Sequence, residues 1–173
     1  MRWQKNIQMR NGLNDWVKDK GSLSNRIKSI ALFEITELKT SPIKIFNNEK
    51  AFFGKKKESD LYLREVLIFA NKIPVIYART VIPKKYLRGF WREIKRLRNS
   101  LLSEIVFDKK DIVRSDFVFN ELSINDNLTK RLNLLSINYQ SILVERQSYF
   151  MHGRENVLLT EVFLNNIETV NYT

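Results

Sequence analysis

Residues 61–82 constrain the fold of this chain most. Leu61 to Ala70 and Pro74 to Ile82 are two largely apolar runs, and only Asn71-Lys72-Ile73 lies between them. Strands joined by so short a turn pair antiparallel, because a parallel crossover needs a dozen residues or more. The first run is apolar on both faces, with Leu61, Leu63, Leu67 and Phe69 alternating against Tyr62, Val66 and Ile68. Such a strand is expected to be covered on both sides. Yet Arg64 and Glu65 sit in its middle, one on each face. At least one of them lies among apolar neighbours. A buried guanidinium is costly unless it meets a protein carboxylate or an anionic ligand.

The rest of the chain extends this pattern. Leu32 to Glu37 alternates as a strand, Ser41-Pro42 breaks it, and Ile43 and Ile45 start another short extended piece. Residues 47–59 read as a polar, basic loop. Ile112 to Leu122 alternates weakly. Gln140 to Met151 and Val157 to Leu164 form a closing hairpin through a turn at 152–156. A first helix is expected over 14–20, ending at Gly21, and a second, capped by Ser22 or Ser24, through Arg26, Ile27, Ile30 and Ala31. Tyr86, Leu87, Phe90, Trp91, Ile94, Leu97 and Leu101 predict an amphipathic helix over 84–102. A turn and a short helix follow at 125–135. Hairpins without βαβ units predict an α+β domain with one antiparallel sheet, a single unit over residues 1–173.

The last strand repeats the anomaly of the first. Glu161 shares a face with Leu159 and Phe163, and a desolvated carboxyl group there takes a proton or finds a cation. A purely structural alternative is that Arg64 and Glu161 pair with each other, or with Glu65, and only hold the sheet together. Arg79, Arg146 and Ser148 also interrupt strands. Any of these arginines meets either solvent or a second carboxylate. His152 reads as an exposed turn residue, and Trp3, Trp16 and Trp91 as packing residues.

Composition removes several chemistries. With no Cys there is no disulfide, thiolate metal site or cysteine nucleophile, and His152 is the single His. Apolar runs such as Val66 to Ala70 fall far short of the ~20 residues of a membrane span. The first 16 residues contain no apolar signal-like core. The net charge of +11 favours acidic partners. However, the Lys, Asn and Ile richness typical of AT-rich coding DNA explains much of it. No basic stripe with interleaved aromatics suggests nucleic acid.

Three segments carry a resemblance. They are Leu63-Arg64-Glu65-Val66-Leu67 with Ala78-Arg79-Thr80-Val81-Ile82-Pro83, then Arg146-Gln147-Ser148, then Leu158 to Leu164 with its Thr160-Glu161-Val162-Phe163. In order and spacing they resemble the chorismate pyruvate-lyase family, over roughly residues 13–166, with plastid-encoded and cyanobacterial members nearest. The resemblance implies an antiparallel sheet with helical flaps over a buried ligand pocket, and no metal or cofactor. It implies cleavage of chorismate to 4-hydroxybenzoate and pyruvate, for a plastoquinone-type quinone. It assigns Arg64 to the ring carboxylate, Glu161 to the ring hydroxyl, and backbone contacts to Leu23 and Leu102. Arg79 or Arg146 is then the candidate for the second carboxylate. A monomer in a plastid, or in a bacterial cytoplasm, is expected. The chain departs from the family at Ala78, where Gly is frequent, in the segment 84–107, and in a longer, more polar loop at 120–140. The alternative function is a non-catalytic aromatic-acid-binding domain of the same fold, like the effector domains of some transcription regulators.

Overall fold

The computed structural model describes residues 3–9, 11–38, 44–54, 56–106, 109–139 and 142–170. Its centre is the expected hairpin. Strand β2 (Leu61–Ala70) turns through Asn71 and Lys72 into β3 (Ile73–Pro83). Both turn residues have positive φ, 50° and 66°, as the tight turns that suit twisted strands require. Ile73 therefore belongs to the strand, opposite Ala70. The second hairpin, β6 (Leu143–His152) and β7 (Glu155–Phe163), turns at Gly153-Arg154, where Gly153 has φ 58°. β7 pairs with β3, which joins the hairpins. β1 (Phe33–Leu38) adds to β2, while β4 (Val113–Arg114) and β5 (Val118–Leu122) both pair with β6. Among the described residues this gives one seven-stranded antiparallel sheet in the order β1-β2-β3-β7-β6-β4, with β5 also on β6.

Both faces are covered, as the two-sided apolarity of β2 requires. On the front, α1 (Asn11–Val17) and α2 (Leu23–Lys28) pack Trp16, Val17, Leu23 and Ile27 against Val66, Ile68, Ile76 and Ala78. Next to them Leu87, Trp91, Ile94 and α4 (Ser103–Val106) cover Ile82, Phe150 and Val157. On the back, Phe46 and the helix α5 (Asn127–Leu134) cover Leu67, Tyr77, Leu143 and Val162. Trp16 and Trp91 are buried and Trp3 partly so.

The elements differ from expectation in instructive places. The single helix expected over 84–102 is two 3₁₀ segments, Lys84–Arg88 and Phe90–Arg96, separated at Gly89 with φ −110° and ψ −130°. Trp91, Ile94 and Leu97 recur every three residues, which suits the three-residue turn of a 3₁₀ helix better than an α-helix. The expected loop at 47–59 holds α3 (Asn47–Phe52). Its start is fixed by Glu49, whose carboxylate accepts the Phe46 N–H at 2.7 Å. The first helix begins and ends three residues earlier than expected. Ser22, rather than Ser24, caps α2, its Oγ accepting from the Asn25 N–H. His152 ends β6 and stacks on Phe90, ring centroids 3.6 Å apart. Ser41-Pro42, Ile43 and Gln140 lie outside the described residues.

Candidate active site

Strand alternation assigns the polar residues of the sheet to two separate systems. Arg64, Val66 and Ile68 of β2 share the front face with Ala78 and Thr80 of β3, Leu159 and Glu161 of β7, and Arg146, Ser148 and Phe150 of β6. The register puts Val66, Ala78, Glu161 and Arg146 in one row across four strands. Arg64, Thr80, Leu159 and Ser148 form the next row. Between this face and its covers lies a cavity of about 570 Å³, counting its mouth. Gly21 to Ser24 line one side, Leu101 to Ser103 the other, and Arg64, Arg114, Arg146 and Glu161 the sheet side. The covers touch: Ser24 Oγ lies 2.7 Å from Ser22 Oγ and 3.2 Å from Ser103 Oγ.

Arg64 is the telling residue. It is 3% exposed. One Nη donates to the carbonyls of Arg98 and Ser100, both at 2.6 Å, while Nε is buried without a partner. Among the described residues no carboxylate lies within salt-bridge distance of it. Burial, the largest influence, pushes its pKa down, with more distant Glu37, Tyr62 and Glu104 opposing. The structural alternative of an Arg64 pair with Glu161 or Glu65 is therefore absent. Glu161 is occupied elsewhere: Arg146 Nε donates to it at 2.7 Å, and Arg114 Nη2 stands 3.7 Å away. Arg146 also donates through Nη1 to the carbonyls of Val17 and Asp19, tying the end of α1 to the sheet.

The structure brings Arg64, Glu161, Arg146, Leu23 and Leu102 to this one cavity. It does not bring Arg79 there. Arg79 lies on the back face, 1% exposed, with its donors consumed inside the protein. Nε and Nη2 reach Glu49 at 2.7 and 2.9 Å, Nη2 also the Lys44 carbonyl, and Nη1 reaches Glu65 and the Tyr77 hydroxyl. Arg131 of α5 donates to the same Glu65 at 2.5 Å, and Tyr77 donates to it as well. The surrounding carboxylates overcome burial and raise the pKa of Arg79, and the Glu65 hydrogen bond raises that of Arg131. Close by, Glu145 is fully buried; Asn120 donates to one oxygen at 2.9 Å and the other is unpartnered. Burial pushes its carboxyl up to about 7.

Sequence reasoning missed Arg114. It sits in a two-residue strand, too short for alternation to reveal its face, opposite Phe150 of β6. The signal available was chemical: a cation within a weakly alternating apolar run at 112–122.

Comparison with known proteins agrees with this architecture. A family model described as chorismate lyase matches residues 1–170. A "Probable chorismate pyruvate-lyase" of Nitrosospira multiformis is 27% identical over 155 residues, covering 88% of this chain and 86% of that protein. One from Nitrosomonas eutropha is 33% identical over 121 residues, covering 68% and 66%. These relatives are bacterial and lend no support to a plastid origin. Among solved structures, PhnF from Mycobacterium smegmatis superposes with a TM-score of 0.59 at 12% identity, covering 90% of this chain and 68% of that one. A GntR-family transcriptional regulator from Bacillus cereus gives 0.52 at 14%, covering 82% and 96%. At such identities the likeness is one of fold. No helix among the described residues is long and apolar enough to cross a membrane.

Proposed function

We propose, from the premise that this chain belongs to the chorismate lyase family, that it cleaves chorismate to 4-hydroxybenzoate and pyruvate. The observation that carries the reading is Arg64. A guanidinium buried with no carboxylate partner among the described residues, on the same cavity wall as Glu161, suits an anionic ligand. Arg64 and Glu161 stand on strands two spacings apart, roughly 10 Å across the sheet, and two residues apart along it.

Arg64 takes the ring carboxylate, a planar match that sets orientation as well as affinity. Leu23 and Leu102, on opposite covers, bring backbone groups to the same carboxylate. Glu161, held by Arg146, accepts the hydrogen bond of the ring hydroxyl. In the reaction the hydrogen on the hydroxyl-bearing carbon passes to the enolpyruvyl methylene. The neighbouring ring C–O bond breaks, the ring becomes aromatic and the side chain leaves as pyruvate. A six-membered arrangement within the substrate accommodates that transfer, so atoms balance without a protein nucleophile. The protein's part is to hold the reactive conformer and keep water out beneath α2 and α4. The phenolic product suits a quinone precursor. A plastid as the compartment rests on composition and on the resemblance to plastid-encoded members, without support from the bacterial relatives.

Purified protein incubated with chorismate, with both products quantified separately, tests the reading. Equal amounts of 4-hydroxybenzoate and pyruvate are expected. Binding of 4-hydroxybenzoate without turnover would replace it with a non-catalytic aromatic-acid-binding domain.

A further inference from the structure

The cavity carries more positive charge than its own carboxylate offsets. Arg64, Arg114 and Arg146 line it against Glu161 alone, three cations to one anion, a surplus of two. Arg146 is committed to Glu161 and to the end of α1. Arg114 is not so committed. Its Nε donates to Ser148 Oγ at 3.1 Å, and its nearest carboxylate contact, Glu161, is 3.7 Å from Nη2, beyond hydrogen-bond length. Neither Nη makes a hydrogen bond to the described residues. The guanidinium lies over Phe117 at 4.3 Å and Phe150 at 5.1 Å, and these rings orient it. Burial pushes its pKa down to about 10, with Arg146 adding to the effect and Glu161 opposing it. An oriented, 18% exposed cation with idle donors faces the ligand space.

Its place beside Glu161 gives those donors a target. Chorismate carries its enolpyruvyl ether on the ring carbon next to the one bearing the hydroxyl. Seating the hydroxyl at Glu161 brings the second carboxylate toward Arg114. We propose that Arg114 binds the enolpyruvyl carboxylate and so makes the site selective for dianionic over monoanionic ring acids. This rests on the reading of the site as one for chorismate, and it replaces Arg79 and Arg146 in that role. After cleavage the second carboxylate leaves with pyruvate, so affinity for 4-hydroxybenzoate does not depend on Arg114.

The test uses the full chain as wild type, Arg114→Gln and Arg114→Lys. The probes are chorismate turnover and calorimetric binding of 4-hydroxybenzoate and of 3-(carboxymethoxy)-4-hydroxybenzoate, a stable dianion with its second carboxylate on the same ether position. Wild type should bind the dianion at least about tenfold tighter than the monoanion. Arg114→Gln should erase that preference and raise the KM for chorismate about tenfold or more, with 4-hydroxybenzoate affinity unchanged. Arg114→Lys should recover part of it. Wild type without a dianion preference, or an Arg114→Gln protein that keeps it or loses both ligands equally, overturns the proposal. Dianion preference without turnover would sink the lyase reading and leave this one standing. Turnover with an unaltered KM in Arg114→Gln would do the reverse.

Discussion

At the scale of single residues, a buried base and a buried acid make opposite predictions. Arg64 lines the cavity with no carboxylate partner among the described residues, so Arg64→Ala should lose about 100-fold or more in kcat/KM. Its unfolding free energy should fall by no more than about 1 kcal/mol, because the buried cation it removes was poorly compensated. Urea melts beside chorismate kinetics check both, and activity within tenfold of wild type would remove Arg64 from the site. Glu145 is a stability residue. Its carboxyl titrates near 7 in the folded chain against an ordinary 4.5. Between those values the folded state holds a proton that the unfolded state has released. Stability should therefore fall as pH rises through that window, and level off above it, by up to about 3 kcal/mol. Glu145→Gln should flatten the slope. Parallel pH–stability curves for the two proteins would contradict this. Arg64 and Glu161 were legible in the sequence because a charge inside an apolar strand is anomalous. Which side of the sheet Arg79 serves was not, because Tyr77 and Val81 on its own face are as apolar as Ala78 on the other.

At the scale of elements, α3 shows what the back-face charges do. It is held to the sheet where Glu49 meets Arg79 on β3, with Phe46 packed on the guanidinium at 4.1 Å. Removing Arg79 leaves Glu49 and part of Glu65 buried without their cation. Arg79→Met should cost about 3–5 kcal/mol in urea unfolding, with the activity of the folded fraction changed little. A stable but inactive Arg79→Met protein would show that Arg79 acts on substrate after all. The hairpins were readable to within a few residues because period-two apolar runs and turn residues coincide. The cover at 84–102 was not, since a mixed three-and-four spacing satisfies both helix types and the break at Gly89 decides between them. The partner of α3, like the face of β4, depends on which strands become neighbours. Local pattern carries no such information.

At the scale of the molecule, charge and topology act together. If the cavity takes a dianion as proposed, a chain of net charge +11 should attract it over several ångströms of solvent. Where encounter limits kcat/KM, raising salt from about 20 mM to about 500 mM should lower it several-fold while kcat stays level. A kcat/KM indifferent to salt would confine the charge to solubility. The antiparallel α+β architecture was legible from hairpin order alone. That Arg64 and Glu161 share a face was not, because the register linking β2 to β7 passes through β3 and is settled by turn geometry in two hairpins.

The neighbouring pairs Arg64 and Glu65, Ala78 and Arg79, and Glu145 and Arg146 each send one residue to either side of the sheet. Inserting or deleting one residue within β2 would exchange the sides. It would put a carboxylate where a carboxylate must be received, and strand a guanidinium beside Arg79. Natural length variation in this lineage should therefore accumulate at chain reversals such as Asn71-Lys72 and Gly153-Arg154, while the central strands hold their residue count even as their side chains drift.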